Sequence, residues 1–256
     1  DVNAACSGFL FALNTADAYL RMGLAENALI IGSEVLSKLV DWTDRSSCIL
    51  FGDGAGAVVV ERCGAESRAV EYGNTLLETE KGMQNTTAEE KRIPAGILGR
   101  ALHSDGTGGG VLQCGARELT TPYAGTSAAK ADQNQPTDGR EHYIQMDGQE
   151  VYRFATRRVP QCIEEALSDA GLDVPDIDMF VLHQANARII DAVAKRLHAD
   201  REKFPTNLER VGNLSSASIP VLLDELNRQE KLHRGDRIVL AGFGAGLTIG
   251  ACVMTW

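Results

Sequence analysis

Aromatic residues make up only 5% of the chain. Modules that stack bases on rows of aromatic rings need more. Basic residues are also in deficit: 25 Lys and Arg stand against 35 Asp and Glu, a net charge of −10. A general phosphate-backbone binder carries the opposite sign, so no nucleic-acid partner is expected. Apolar stretches, such as residues 28–31 and 55–60, are far too short to span a membrane, and no signal peptide is visible. The six cysteines form no C-x-x-C pair or other metal-ligand spacing. Their pattern predicts a reduced, cytoplasmic protein with no bound metal. The chain opens at Asp1 without a Met, inside what reads as packed structure, so a longer protein is expected.

What is present is an ordinary globular composition, 44% hydrophobic and 23% charged over 256 residues. Such a chain buries a sizeable core without staples. Glycine is in excess: 26 of 256 residues, about 10% against an ordinary ~7%. Turns or close backbone approaches must use the surplus.

The periodicities predict an α/β protein. Residues 1–5 read as the end of a strand and 7–22 as a helix with Phe9, Leu10, Leu13, Ala16 and Leu20 on one face. Residues 28–31 read as a strand buried on both faces. A Gly-rich turn at 52–56 leads into a strand over 57–61. Strands are expected over 69–77 and 97–103. The polar segments 78–92 and 120–140 read as exposed insertions. A long helix covers 147–171, a strand 177–182 and a helix 186–197. A short strand near Phe204, a helix over 215–229 and strands over 237–243 and 247–253 complete the chain.

Residues 1–33 resemble 210–242 at an offset of 209, which sets Cys6 on Ser215. Gly52-Asp53-Gly54-Ala55-Gly56 resembles Gly242-Phe243-Gly244-Ala245-Gly246 at an offset of 190. Two copies of one α/β unit are the simplest account. The second copy is preceded by elements that the first lacks, which implies roughly 65 or more further residues at the front. The expected halves are 1–143 and 144–256.

Cys6 falls between a strand and the first turn of a helix, where unpaired N–H groups and the helix dipole favour a thiolate. Its small neighbours Ala4, Ala5, Ser7 and Gly8 admit a substrate carbonyl. The alternative is a buried structural cysteine. His183 directly follows the apolar run Phe180-Val181-Leu182, at the carboxyl end of a buried strand, where α/β sheets place their sites. A satisfied core histidine is its bland reading. His103 is the second candidate; His142, His198 and His233 stand in polar or charged contexts. Asn213 falls in the turn that duplicates the one before Cys6, where a plain helix cap is the alternative. Neither Gly-rich run opens a helix, which argues against a dinucleotide site. The backbone N–H of Ala245 remains a candidate donor to a substrate oxygen. Arg188, Lys195, Arg196, Arg201 and Lys203 form a local basic patch, either a solvated helix face or a dock for an acidic partner.

Five motifs taken together resemble β-ketoacyl-[acyl-carrier-protein] synthase III, of the thiolase superfamily. They are the run from Asp1 to Phe9, Gly52-Asp53-Gly54-Ala55-Gly56-Ala57, His183-Gln184-Ala185-Asn186, the run from Gly212 to Ser218, and Gly242-Phe243-Gly244-Ala245-Gly246. The resemblance implies a duplicated thiolase-type fold, layered α-β-α-β-α, with the first half incomplete. It implies a decarboxylating Claisen condensation of an acyl-CoA primer with malonyl-acyl carrier protein, initiating fatty-acid synthesis without a resident cofactor. Cys6, His183 and Asn213 become catalytic, and the N–H groups of Cys6 and Ala245 form the oxyanion hole. Arg45 becomes a coenzyme A contact, and Arg188, Lys195 and Arg196 the carrier-protein dock. A homodimer is implied for the full-length protein. Leu214, Ser216 and Ala245 depart from the family's common Thr, Ala and Gly.

A sister acyltransferase of secondary metabolism and a non-catalytic scaffold that docks carrier protein are the rival readings. The expected front segment also bears on stability. A half-sheet without its first strands exposes apolar edges. These 256 residues alone are therefore expected to fold poorly or aggregate; a soluble, monomeric product that melts cooperatively would contradict this.

Overall fold

The computed structural model describes residues 1–62, 96–115 and 142–256. The expected strand at 69–77 and both expected insertions lie largely or wholly outside them. Helix α1 (Gly8–Arg21) is followed by strands β1 (Asn27–Val35), β2 (Asp53–Glu61), β3 (Gly96–Ser104), β4 (Leu112–Cys114) and β5 (Ile144–Met146). Next come α2 (Gly148–Ala170), β6 (Met179–Leu182), α3 (Ala187–Arg196), the short α4 (Leu208–Val211), α5 (Ser218–Arg228), β7 (Arg237–Gly244) and β8 (Thr248–Thr255).

Strands order as β3-β8-β7-β6 in one sheet, with β6 parallel to β7 and the other pairs antiparallel. β1 and β2 form a separate antiparallel pair, as do β4 and β5. Helices α2 and α3 cover one face of the four-stranded sheet through Val159, Ile163, Ile190 and Val193. Helices α1 and α5 cover the other through Leu10, Leu13, Ile219 and Leu222, and carry β1–β2 on their far side. The described residues thus stack α-β-α-β. β7 is buried on both faces because helices flank it on both. β1 is not: Leu29 and Ile31 are 62% and 60% exposed and Val59 of β2 is 73% exposed. This corrects the expectation of a strand buried on both sides. β3, which the sequence division assigns to the first half, pairs with β8 along its length and forms the edge of the second sheet.

Helix ends follow local chemistry. Asp147 Oδ1 accepts from the N–H groups of Gln149 and Glu150, and Gly171 ends α2 at φ 65°. Pro160 inside α2 has no N–H to give the Thr156 carbonyl. Arg196 of α3 donates to that carbonyl instead, at 3.4 Å. No strand forms at Phe204; a 3-10 turn over Arg201–Lys203 delivers its ring onto Phe180, stacked at 4.6 Å.

The internal repeat is real in three dimensions, but its offset is 210. A 3-10 turn Ala5–Ser7 leads into α1, and Ser215–Ala217 leads into α5. Ala5 and Ser215 both have positive φ, 46° and 48°. Asn3 Oδ1 accepts from the Ala5 N–H at 3.3 Å, and Asn213 Oδ1 from the Ser215 N–H at 2.8 Å. Cys6 therefore corresponds to Ser216, not Ser215, and Glu34 of β1 to Gly244 of β7. Sequence letters slip by one here because backbone conformation, not side-chain identity, is what repeats.

Glycines bring the two copies together. The first Gly-rich run is not the expected turn; Gly54 and Gly56 lie within β2. A Cβ on Gly52 would stand 2.2 Å from the Val211 carbonyl oxygen, and one on Gly56 2.8 Å from the Val221 nitrogen. A Cβ on Gly32, the register partner of Gly56, would stand 2.7 Å from the Ser216 carbonyl oxygen. The second run does turn a corner, between Gly244 and Thr248.

Gly32→Ala and Gly56→Ala are each expected to cost about 1–3 kcal/mol by forcing backbones apart. Gly106→Ala, with nothing within 4 Å, should leave the urea midpoint unchanged. Equal midpoints for all three variants would contradict the close approach.

Candidate active site

Cys6 stands on the 3-10 turn that starts α1. Ser7 anchors the turn: its hydroxyl donates to the Ala4 carbonyl at 2.8 Å and shares a 2.7 Å hydrogen bond with Thr248 Oγ1. A side chain at Gly244 would stand 2.7 Å from the Cys6 nitrogen, so only glycine leaves that N–H accessible. Two cavities meet at Cys6. One, of about 780 Å³, is lined by Phe9, Leu36, Phe51, Leu112, Ser215 and Ala245 among others. The other, of about 830 Å³, is lined by His183, Asn213, Phe243, Tyr152, Arg153 and Arg188 among others.

His183 continues β6 past its last strand residue, its N–H donating to the Ala241 carbonyl at 2.8 Å. Its ring lies edge-on to Phe243 at 5.8 Å, and its Cβ rests on Gly242. Gln184 braces the turn: its Nε2 donates to the Leu182 carbonyl at 2.8 Å, and its Oε1 accepts from the Asn207 N–H at 3.2 Å. Asn213 is pinned across the seam between the copies. Its N–H donates to the Leu50 carbonyl at 2.8 Å and its carbonyl accepts from the Gly52 N–H at 3.0 Å. Because Oδ1 already accepts from Ser215, the side chain's remaining offer is the two N–H donors of Nδ2.

Burial pushes the Cys6 thiol up from 9.0 to about 11; a hydrogen bond from the Ser215 hydroxyl opposes the rise and the Glu34 carboxylate adds to it. Burial thus opposes the thiolate that the helix start favours. Burial lowers His183 from 6.5 to about 4, so its imidazole is neutral at pH 7. The centre thus holds a cysteine, a neutral imidazole and a neutral amide on one cavity. Cys162 and Cys252, by contrast, are buried in the core with thiols pushed up to about 12.

The other expected site residues are more dispersed. Ala245 lines the first cavity beside Cys6, its carbonyl held by Thr248 Oγ1 at 3.0 Å. Arg188 lines the second cavity at the start of α3, where Asn186 Oδ1 accepts from its N–H. Lys195 and Arg196 are exposed on the same helix but line neither cavity. Arg45 is exposed too; its neighbour Ser46, not Arg45 itself, reaches the second cavity. His103 pairs with Glu165 on the surface and lines neither cavity. Sequence reading missed Arg153 and Tyr152 of α2, Ser215 and Glu34. Arg153 was hidden because only the packing of α2 beside α3 brings it to the cavity.

The lowered His183 pKa has a stability consequence. An unfolded His takes a proton near 6.5 and the folded one near 4. The unfolded chain therefore binds more protons between these values, and its stability is full above 6.5 and lost as pH falls through that window. The loss should total on the order of 3 kcal/mol. His183→Gln should flatten urea midpoints measured from pH 6.5 to 4.5; an unchanged slope would contradict the buried neutral ring.

Residues 167–256 match the family model "3-Oxoacyl-[acyl-carrier-protein (ACP)] synthase III C terminal", and residues 1–80 match "3-Oxoacyl-[acyl-carrier-protein (ACP)] synthase III". The β-ketoacyl-[acyl-carrier-protein] synthase III of Clostridium acetobutylicum is 40% identical over the whole chain, which covers 67% of that relative. A chloroplastic synthase III of Cuphea wrightii is 44% identical, with 57% of it covered. The solved 3-oxoacyl-[acyl-carrier-protein] synthase III of Aquifex aeolicus superimposes with a TM-score of 0.77 at 35% identity, over all of this chain and 66% of that one. The priming β-ketosynthase of the R1128 polyketide pathway does so with a TM-score of 0.77 at 32% identity, with 64% of it covered. The chain thus spans between 57% and 67% of the length of these four relatives. Its fold is the thiolase type, and the chain belongs to the 3-oxoacyl-[acyl-carrier-protein] synthase III family.

Proposed function

We propose that the protein condenses an acyl-CoA primer with malonyl-acyl carrier protein, releasing carbon dioxide and giving a 3-oxoacyl-acyl carrier protein. The supporting observation is that Cys6, His183 and Asn213 line one cavity, with Asn213 Oδ1 occupied so that Nδ2 is left to donate. The Cys6 sulfur attacks the thioester carbonyl, coenzyme A leaves, and neutral His183 passes the thiol proton to it. The N–H groups of Cys6 and Ala245 receive the oxyanion, beside the gap kept by Gly244.

In the second half-reaction the malonyl carbon–carboxylate bond breaks and its electron pair moves toward the thioester oxygen. His183 and Asn213 Nδ2 donate hydrogen bonds to that enolate oxygen. A neutral imidazole suits the task, since it polarises the oxygen without first giving up a proton. The enolate carbon then attacks the acyl group, the carbon–sulfur bond breaks, and the Cys6 thiolate that leaves takes up one proton from solvent to regenerate the thiol. Acyl-CoA is a substrate here, and the scheme needs no resident cofactor or metal.

An acidic carrier protein would dock on the exposed basic side chains of α2 and α3: Arg153, Arg188, Lys195 and Arg196. Arg45 would meet coenzyme A near the cavity mouth. A cytoplasmic homodimer completes the proposal; the apolar outer face of β1–β2 supplies surface for association. Among the described residues no helix is long and apolar enough to cross a membrane.

Incubation with acetyl-CoA should add one acetyl group to Cys6 by intact mass and peptide mapping, and Cys6→Ala should abolish it. Asn213→Ala should still accept acetyl groups and His183→Ala should accept them more slowly, while both lose carbon dioxide release from malonyl-acyl carrier protein by roughly 100-fold or more. A panel of acyl-CoAs and malonyl carriers separates the fatty-acid starter from the polyketide-type primer that the R1128 likeness keeps in view. A folded protein that takes no acyl group from any of them would sink the enzyme reading in favour of a scaffold.

A further inference from the structure

The corner between β7 and β8 is joined to the turn that carries Cys6 by two hydroxyl groups. Gly244 and Thr248 are register partners, so Ala245, Gly246 and Leu247 make the corner. Leu247 is fixed from one side: its N–H donates to the Asp105 carbonyl at 2.8 Å, and its carbonyl accepts from the Asp105 N–H at 2.7 Å. Ala245 is fixed from the other side, by Thr248. The Thr248 hydroxyl donates to two carbonyls, that of Ala245 at 3.0 Å and that of Ala4 at 3.1 Å. Ala4 is the residue from which the Cys6 turn starts. One side chain therefore holds the corner and the turn together.

Ser7, fully buried, completes the link. Its hydroxyl donates to the Ala4 carbonyl at 2.8 Å and meets Thr248 Oγ1 at 2.7 Å. The Ala4 carbonyl also accepts from the Ser7 N–H at 3.1 Å, which closes the turn around Cys6. Each hydroxyl has one proton. Two protons thus serve four contacts, and Ser7 and Thr248 act as one unit. Threonine suits its place for a second reason. A β-branched side chain is stiff at χ1. Its methyl uses room that Gly246 leaves, since a Cβ on Gly246 would stand 2.7 Å from Thr248 Cγ2. With the methyl seated there, the hydroxyl is aimed at the Cys6 turn.

We propose that Thr248, braced by Ser7, is a positioning residue: it fixes the Cys6 turn against the Ala245 corner and so sets the spacing of their two N–H groups. The proposal rests on the acyl-transfer reading, in which those N–H groups receive the oxyanion. Donors of this kind act by standing in place before charge develops, and a misplacement of about 1 Å can cost 100-fold in rate. Thr248 touches no substrate in this scheme and acts through the backbone.

Thr248→Val keeps the β-branch and removes the hydroxyl. Single-turnover acetyl transfer from acetyl-CoA, followed by intact mass, should run roughly 10- to 100-fold slower. The loss should fall on the maximal rate and not on the acetyl-CoA concentration that half-saturates it. Thr248→Ser restores the hydroxyl and should recover most of the rate. Alkylation of Cys6 by iodoacetamide, read on the Cys6 peptide, displaces iodide from a saturated carbon and forms no oxyanion. It should keep its wild-type rate in Thr248→Val. Acetyl transfer at the wild-type rate in that variant would overturn the proposal. So would an equal slowing of transfer and alkylation, which would mean damage to the thiol itself.

Amide hydrogen exchange tests the link without any substrate. In Thr248→Val, exchange should quicken in the peptide over residues 1–9 and in the one over 243–250. Quickening in only one of them, or in neither, would overturn the link. If Thr248→Val does not fold, Ser7→Ala takes its place, since it removes two of the four contacts. It should slow acetyl transfer roughly fivefold and leave alkylation alone, and transfer at the wild-type rate would overturn the proposal. If the wild type takes no acyl group from any acyl-CoA, the proposed reaction fails, and the exchange pattern still decides the link.

Discussion

The structure depends on how closely two backbones approach at the seam between its copies. Glycines 32, 52 and 56 remove the side chains that would hold the β1–β2 pair away from residues 211–221, and Gly244 does the same between β7 and the Cys6 turn. These approaches bring the 3-10 starts of α1 and α5 against each other. Asn213 is then tied into the seam by hydrogen bonds to Leu50 and Gly52, so a candidate donor is held by the same contact that joins the halves. Fold and site are built by one close contact between backbones.

Duplication supplies two equivalent helix starts, and they differ in what stands against them. One is satisfied internally: the Glu34 carboxylate takes the Ser216 N–H and hydroxyl. The other is not: Gly244 stands where Glu34 would, and a side chain there would stand 2.7 Å from the Cys6 nitrogen. Burial disfavours the charged forms of both proposed catalytic groups, the Cys6 thiol pushed up and the His183 imidazole pushed down. In the proposed reaction, charge develops only in the course of the chemistry, in front of the proposed donors.

Much of this was legible in the residues. The helices of α1, α2, α3 and α5 follow from apolar spacing, and Cys6, His183 and Asn213 stood out because each falls at a strand end or helix start. The Gly-rich runs correctly failed as dinucleotide loops, yet only one of them is a turn. In β2 the glycines serve close approach instead, a role that depends on a partner distant in sequence. The burial of β1 was overestimated because a short apolar run looks the same whether one face or both are covered. The repeat offset slipped by one because positive φ at Ala5 and Ser215, on non-glycine residues, leaves no mark in the sequence. Glu34 lies in 33–51, which reads in the sequence as a connection with mixed signals; only the seam shows its contact with Ser216. Arg153 waited on the packing of α2 against α3.

The most direct test of the account is a crystal structure of the protein acetylated at Cys6. The account predicts the acetyl oxygen at hydrogen-bond distance, about 2.7–3.1 Å, from the N–H groups of Cys6 and Ala245, with His183 and Asn213 Nδ2 facing the open side of the carbonyl. An acetyl oxygen turned away from those N–H groups, or an Asn213 amide turned so that Nδ2 no longer faces the cavity, would contradict it.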